Sequence, residues 1–140
     1  MAKVLVFMAH DQEYAIDISS VREIRNWAQA TPVPSSPDFV EGIINIRGTV
    51  IPLIDFCQKI NPSAEYQSKK AMIIVEKEEK IVSFSVHNVS DIIDYQLDSQ
   101  KDLPDISQEG SSKFVDGIIS IDERVIFLVN IPNIVEDCFH

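Results

Sequence analysis

The chain has 140 residues, enough to bury roughly two thirds of its unfolded surface in one compact unit or two small, intimate ones. Its formal net charge of -10 argues against nucleic-acid binding, because that function needs clustered basic side chains and the sequence has no such cluster. Cys57 and Cys138 are far apart and follow no metal-ligand spacing, which is typical of a reduced, intracellular protein.

Hydropathy gives no sign of a membrane segment. No stretch of 18 or more apolar residues occurs, and the N-terminal apolar run is too short for the core of a signal peptide. We therefore expect a cytoplasmic protein without direct membrane insertion.

The first elements along the chain follow a period of two. Val4 to Met8 and Tyr14 to Ile18 flank the polar turn His10-Asp11-Gln12, a pattern typical of a β-hairpin. Val21 to Trp27 follows as a short, ambiguous segment. Three prolines between Pro32 and Pro37 then exclude both a helix and a central strand.

A second hairpin and a short helix are predicted next. Strands at about Gly42 to Ile46 and Val50 to Ile54 are joined through Arg47-Gly48-Thr49. Asp55 is a good N-cap for a helix over Phe56 to Ile60.

The third hairpin spans Ala71 to Val89, with a charged turn at Lys77 to Lys80. Apolar residues alternate with serines in its second strand, which predicts a half-buried strand. Gln96 to Lys113 is the longest candidate loop, and the acidic run from Asp91 to Glu109 is interpreted as a solvated loop rather than an acidic docking site.

The chain also contains an internal duplication. Residues Phe39 to Asp55 align without a gap on Phe114 to Asn130, and nine of the 17 aligned pairs are identical. The identical residues are apolar or glycine, as a pair of buried strands requires. Asn130 is equivalent to Asp55 and precedes a second helix with Pro132 in its first turn. The pattern predicts a closed all-β architecture, most simply two small barrels.

The sequence contains no recognisable catalytic or cofactor-binding motif. The four scattered glycines form no phosphate-binding loop, and His10, His87 and His140 share no ligand spacing, so no cofactor and no metal site are predicted. A cysteine-histidine pair stays open, since such partners meet in space, but packing is the simpler role for both cysteines. Paired carboxylates have no marked cleft around them. We therefore predict that the protein is not an enzyme.

Four features of the chain are informative when they are taken together. They are Val21-Arg22-Glu23-Ile24 after the first hairpin, Thr31 to Pro34 with Pro37 to Gly42, the run Asn45-Ile46-Arg47-Gly48 leading to Pro52 and Asp55, and the C-terminal copy ending in a short helix. In this combination the chain resembles the CheW family of chemotaxis coupling proteins. The resemblance covers essentially the whole chain. Ser83 and His87 depart from the family pattern, which usually has Gly and Asp there.

The resemblance implies a fold and its organisation. We expect an all-β protein with two small, intertwined five-stranded β-barrels, similar to Src-homology-3 barrels, and short helices that include one at the C-terminus. A single CheW-like domain would span 1–140, with barrel subdomains at about 15–85 and at 1–14 plus 86–140.

The resemblance also implies a function. The expected role is a non-enzymatic adaptor that couples the cytoplasmic tips of chemoreceptors, the methyl-accepting chemotaxis proteins, to the regulatory domain of a CheA-type histidine kinase at membrane-associated receptor arrays. Coupling in another CheA-type pathway, such as pilus or surface motility, and a ligand-binding β-barrel are the alternatives.

Site residues follow from the same resemblance. Asn45, Arg47 and Gly48 match the receptor-facing signature, whereas Val21, Glu23 and Ile24 lie in a region associated with kinase contact and, in part, receptor contact. Val21 and Ile24 are expected to form an exposed apolar surface. Arg124, near the equivalent turn of the second copy, is expected to be a surface charge of little consequence.

Overall fold

The computed structural model describes residues 2–63, 68–96, 100–102 and 111–139. Eleven strands and two α-helices lie within these ranges. The strands are β1 (Ala2–Ala9), β2 (Gln12–Asp17), β3 (Val21–Asn26), β4 (Val40–Ile46), β5 (Thr49–Asp55), β6 (Ala71–Lys77), β7 (Lys80–Val86), β8 (Asn88–Tyr95), β9 (Gln100–Lys101), β10 (Val115–Ile121) and β11 (Arg124–Val129). The helices are α1 (Phe56–Ile60) and α2 (Ile131–Cys138), and short 3-10 helices occur at Ile18–Ser20 and Ser111–Phe114.

The strands form two sheets. The larger sheet has the order β8-β1-β2-β11-β10-β9 and the smaller has the order β3-β6-β7-β5-β4. All pairs are antiparallel except β2 with β11 and β5 with β7. The predicted all-β class is confirmed. The expected closure into two five-stranded barrels is wrong in detail, because one sheet has six strands and neither ladder closes over the described residues.

A single bridge links the chain that follows β3 to β4 at the opposite edge of the smaller sheet. The edge strands of this sheet are β3 and β4, and the bridge lies between Thr31 and Ile43, with both N–H···O distances at 2.9 Å. The prolines that follow Thr31 lack the N–H that a ladder needs, so this bridge stays isolated.

The strands of each sheet occupy separate parts of the sequence. The larger sheet takes β1 and β2 from residues 2–17 and its other strands from residues 88–129, whereas the smaller sheet lies within 21–86. The proposed subdomain boundaries, about 15–85 against 1–14 plus 86–140, stay a prediction.

The duplication is visible as two hairpins of matching construction. The turn residues Arg47 and Gly48 have φ of 50° and 85°, and their equivalents Asp122 and Glu123 have φ of 49° and 69°, as two-residue hairpin turns require. Both hairpins carry a register shift at the glycine near their start. The amide N–H groups of the predicted caps Asp55 and Asn130 each donate 2.7 Å bonds to the carbonyl oxygens of the equivalent phenylalanines.

Both helix caps form as predicted. The Asp55 carboxylate accepts a hydrogen bond from the N–H of Gln58 at 3.2 Å, and the Asn130 side chain accepts one from Asn133 at 2.9 Å. Not every shared residue serves the core, however. The aligned Val50 and Val125 are 59% and 49% exposed, so this identity lies on the surface of both copies.

Several strands are buried on both faces and contribute to two clusters at once. In β1, Leu5 and Phe7 join the main core, which contains residues of both sheets and both helices, while Val4 and Val6 join a cluster within the larger sheet. The alternation in β7 was predicted to be half-buried, and this is wrong because Ser83 and Ser85 are buried too. Ser85 donates to the Glu41 carboxylate, and the Ser83 hydroxyl has no hydrogen-bond partner among the described residues.

The acidic stretch is more ordered than predicted. Residues 91–95 belong to β8 instead of a loop, and Gln100–Lys101 forms the short strand β9. The remainder of the predicted loop at 97–99 and 103–110 lies outside the described residues.

A buried cation joins the two helices near the duplicated phenylalanines. The ammonium group of Lys59 lies 3.9 Å from the ring centroid of Phe39 and 5.3 Å from that of Phe114, and it forms an ion pair with Asp137. Lys113 approaches the other oxygen of Asp137 at 3.1 Å. Lys59 is only 7% exposed, so its charge depends on these neighbours for compensation.

We expect this ion pair to affect how the free energy of unfolding changes at acid pH. Hydrogen bonding from Lys59, with help from Lys113, holds the pKa of Asp137 below its ordinary value of 3.8. A carboxyl group with a lowered folded-state pKa stabilises the fold above the unfolded-state pKa, and that stabilisation is lost as the pH falls through the folded-state pKa. Asp137→Asn should therefore unfold with a shallower pH dependence below about pH 4. Urea unfolding of both proteins across acid pH measures this, and parallel acid limbs would contradict it.

Candidate functional site

The turn between β4 and β5 presents Arg47 at the end of a fixed hairpin. The Asn45 side chain accepts a hydrogen bond from the N–H of Gly48 at 2.9 Å, which ties the start of the turn to its second central residue. Gly48 has a left-handed conformation that favours glycine, and apart from its two chain neighbours no residue lies within 4 Å of a Cβ placed there. Asn45 and Gly48 therefore shape the turn, and the Arg47 side chain, 68% exposed, is what it displays.

Arg47 reaches across to the other edge strand of the smaller sheet. Its guanidinium donates to the two carboxylate oxygens of Glu23 at 2.7 and 3.5 Å, while Arg25 donates to the same carboxylate at 2.9 Å. These hydrogen bonds, with that from Arg47 the largest effect, lower the pKa of Glu23, so the carboxylate is ionised at neutral pH. The ion pair brings a residue predicted for the receptor together with one predicted for the kinase.

An open groove of about 790 Å³ lies beside this ion pair. Its lining comes from β3 and the neighbouring β6 of the smaller sheet, from Arg47, and from Val89 of β8, an edge strand of the larger sheet. Ile24, Met72 and Val89 contribute apolar surface, and Glu23, Arg25 and Arg47 carry its charges. The groove therefore combines apolar side chains with a charged rim formed by Glu23, Arg25 and Arg47, a mixture that protein-binding surfaces share.

Of the two apolar residues predicted to form an exposed surface, only one is in that position. Ile24 is 44% exposed and lines the groove. Val21 is half-buried and packs against the main core, so the expectation of an exposed Val21 is wrong. A register shift between Val21 and Glu23 lies between the two residues in β3, and they have different neighbours.

Arg124 also differs from its expectation. Its guanidinium forks onto Glu13 at 2.9 and 3.1 Å and onto Asp91 at 3.2 and 3.4 Å. These bonds join β11 to β2 and β8 within the larger sheet and raise the pKa of Arg124. Arg124 is thus a structural residue and not the inert surface charge that the sequence indicated.

Sequence reasoning missed Arg25, Met72 and Val89 as groove residues. Arg25 lies directly after the predicted segment and could have been found from its charge. Met72 and Val89 carried no signal beyond ordinary strand hydrophobicity. Met72 reaches the groove through the pairing of β6 with β3, and Val89 comes from the other sheet.

We also searched the described part of the chain for a metal site, a reactive cysteine and a membrane-spanning helix. No group of three or more His, Cys, Asp or Glu side chains that could hold a metal occurs there. Burial raises the pKa of Cys138 to about 11 and, together with the Asp55 charge, raises that of Cys57, so both thiols are protonated at neutral pH. Within the same ranges, no helix has the length and apolarity to cross a bilayer.

Comparison with known proteins decides the family. The model of the CheW-like domain matches residues 3–139. The chain belongs to the CheW family. The chemotaxis protein CheW of Rhizobium meliloti is 34% identical over 133 residues, covering 94% of this chain and 86% of that protein, and the probable CheW of Rhizobium etli is 35% identical over 130 residues, covering 92% and 84%.

A solved structure extends the match to three dimensions. The crystal structure of the scaffolding protein CheW from Thermoanaerobacter tengcongensis superposes with a TM-score of 0.82 at 30% identity, covering 92% of this chain and 84% of that one. The resemblance inferred from the motifs is therefore confirmed, and the protein is a CheW-type coupling protein of chemotaxis. The alternatives of another motility pathway and of a ligand-binding barrel are not favoured.

Proposed function

We propose that this CheW-family protein is a non-enzymatic adaptor in the cytoplasm that holds a chemoreceptor tip and a CheA-type histidine kinase together at receptor arrays. The observation that carries the proposal is the groove beside the Glu23–Arg47 ion pair, since it unites two of the family-like segments on one surface. A partly apolar groove edged by charge suits a helical receptor tip, which presents apolar residues at helical spacing.

Asn45, Arg47 and Gly48 are proposed as the receptor-binding turn, with Asn45 and Gly48 acting through its conformation. Glu23 and Ile24 are proposed to contribute to both contacts, because they lie in the groove and on an exposed edge strand. Val21 supports the kinase-binding edge from beneath, since it packs on the main core.

The direct test is co-purification with a CheA-type kinase and a soluble receptor-tip fragment, separately and together. Binding of each partner alone, and of both in one complex, is the expected result. A chain that bound neither partner would contradict the proposal.

Ile24→Asp tests the shared surface. We expect both kinase and receptor-fragment binding to weaken by more than about 1 kcal/mol, because the substitution places a charge on an apolar contact. The thermal melt should change little, since Ile24 is 44% exposed. Isothermal titration calorimetry and circular dichroism measure the two quantities.

Val21→Asp is the matched control for Ile24→Asp. It places the same charge two strand positions from Glu23, but against the main core, so it should lower the melting temperature clearly. Equal loss of stability in the two variants would show that Ile24 is also a core residue and would remove it from the proposed surface.

A further inference from the structure

The rim of the groove carries an excess of positive charge. Glu23 supplies one carboxylate, whereas Arg25 and Arg47 supply two guanidinium groups around it. Positive charge is scarce in this chain, which has 12 lysines and arginines against 22 acidic residues. The same three side chains line the groove together with Ile24, so the uncompensated charge adjoins an apolar contact.

Arg25 has the capacity to bind a second acceptor. Its hydrogen bond to Glu23 engages Nη1, one of three guanidinium nitrogens, and the group carries five N–H donors in a fixed fork. Its side chain is 46% exposed, so an incoming group can reach it. Arg25 can therefore bind another carboxylate without releasing Glu23.

A cationic partner residue fits this rim poorly. Glu23 already accepts hydrogen bonds from two arginines, which leaves an incoming ammonium or guanidinium to face like charges. A carboxylate meets the opposite situation, because a guanidinium fork binds it with charge-assisted hydrogen bonds that strengthen as the contact loses water.

We infer that Arg25 makes this adaptor selective for a receptor tip that carries an aspartate or glutamate beside its apolar contact residues. The inference rests on the proposed receptor function of the groove and names the chemistry of the partner there. Apolar residues of the tip pack on Ile24 and Val89, and the tip carboxylate accepts hydrogen bonds from Arg25.

The same strand supplies a matched control. Arg22 is 48% exposed and forms an ion pair with Glu76 at 3.5 Å. It lines a second depression, which shares Glu23 and Arg47 with the groove, but Arg22 itself does not line the groove. Arg22→Gln and Arg25→Gln therefore remove the same charge from the same strand, but only Arg25→Gln removes it from the groove.

The experiment compares a recombinant receptor-tip fragment bound to wild type, Arg25→Gln and Arg22→Gln over a range of NaCl concentrations. We expect Arg25→Gln to bind at least about tenfold more weakly at low salt and to show a flatter salt dependence, because it lacks the screened charge pair. Arg22→Gln should stay within about twofold of wild type, as a charge outside the contact acts only through its distance-weakened field.

Fragments with each tip carboxylate changed singly to its amide complete a double-mutant cycle. One of these fragments should bind wild type and Arg25→Gln with equal affinity. Equal binding by Arg25→Gln and Arg22→Gln, or the absence of any coupled tip carboxylate, would overturn the inference. Ile24→Asp distinguishes a failure of Arg25 from a failure of the groove. If only Ile24→Asp loses binding, the role of Arg25 is wrong, and if Ile24→Asp also binds normally, the receptor function of the groove is wrong.

Discussion

Arg47→Ala is expected to weaken binding of the receptor fragment by at least about thirtyfold, because a charged side chain that loses water in a contact is costly to remove. The turn that carries it should persist, since Asn45 and Gly48 keep their own hydrogen bond. The thermal melt should move little, because exposed ion pairs contribute weakly to folding. Receptor-fragment titration at one fixed salt concentration gives the comparison.

Arg124→Ala is the comparison from the second copy. Arg124 forks onto Glu13 and Asp91 inside the larger sheet, so its loss should cost about 1 kcal/mol of unfolding free energy and leave receptor binding intact. We thus expect Arg47→Ala to weaken receptor binding and Arg124→Ala to lower the free energy of unfolding. Equal loss of receptor binding in both variants would sink the assignment of Arg47 to the receptor.

Gly42→Ala is expected to be strongly destabilising, at about 3 kcal/mol of unfolding free energy. Gly42 has a φ of 149°, and a Cβ there would lie 2.1 Å from the carbonyl oxygen of Thr31. The clash falls beside the Thr31–Ile43 bridge, which links the chain beyond β3 to β4. Urea unfolding followed by circular dichroism measures the loss.

The duplication supplies the control for Gly42 as well. A Cβ on Gly117 would lie 2.5 Å from the carbonyl oxygen of Lys101, but Gly117 has no positive φ to forbid a side chain. Its neighbour is also the two-residue strand β9, which has little pairing to hold it in place. Gly117→Ala should therefore cost about 1 kcal/mol. A larger loss at Gly117 than at Gly42 would show that strain at the bridge is not the main cost.

The sequence predicted those features that depend on residues close together in the chain. Period-two hydrophobicity indicated the hairpins, and Asp55 and Asn130 marked the starts of both helices. The aligned copies indicated two equivalent hairpins, since a repeated local pattern folds into a repeated local structure. The same local cues assigned too little structure to residues 91–95, because acidic side chains on an edge strand look like those of a loop.

Only the tertiary structure decided which strands lie side by side and therefore which residues line the groove. Glu23 and Arg47 are 24 positions apart, and nothing local indicates that the carboxylate of one edge strand would pair with the turn beyond the other. The same limit hid the fork of Arg124 and the contribution of Val89 to the groove. Alternation identifies a strand and its two faces, but the contacts among strand edges depend on sheet order, curvature and register, which are set by packing of the whole chain.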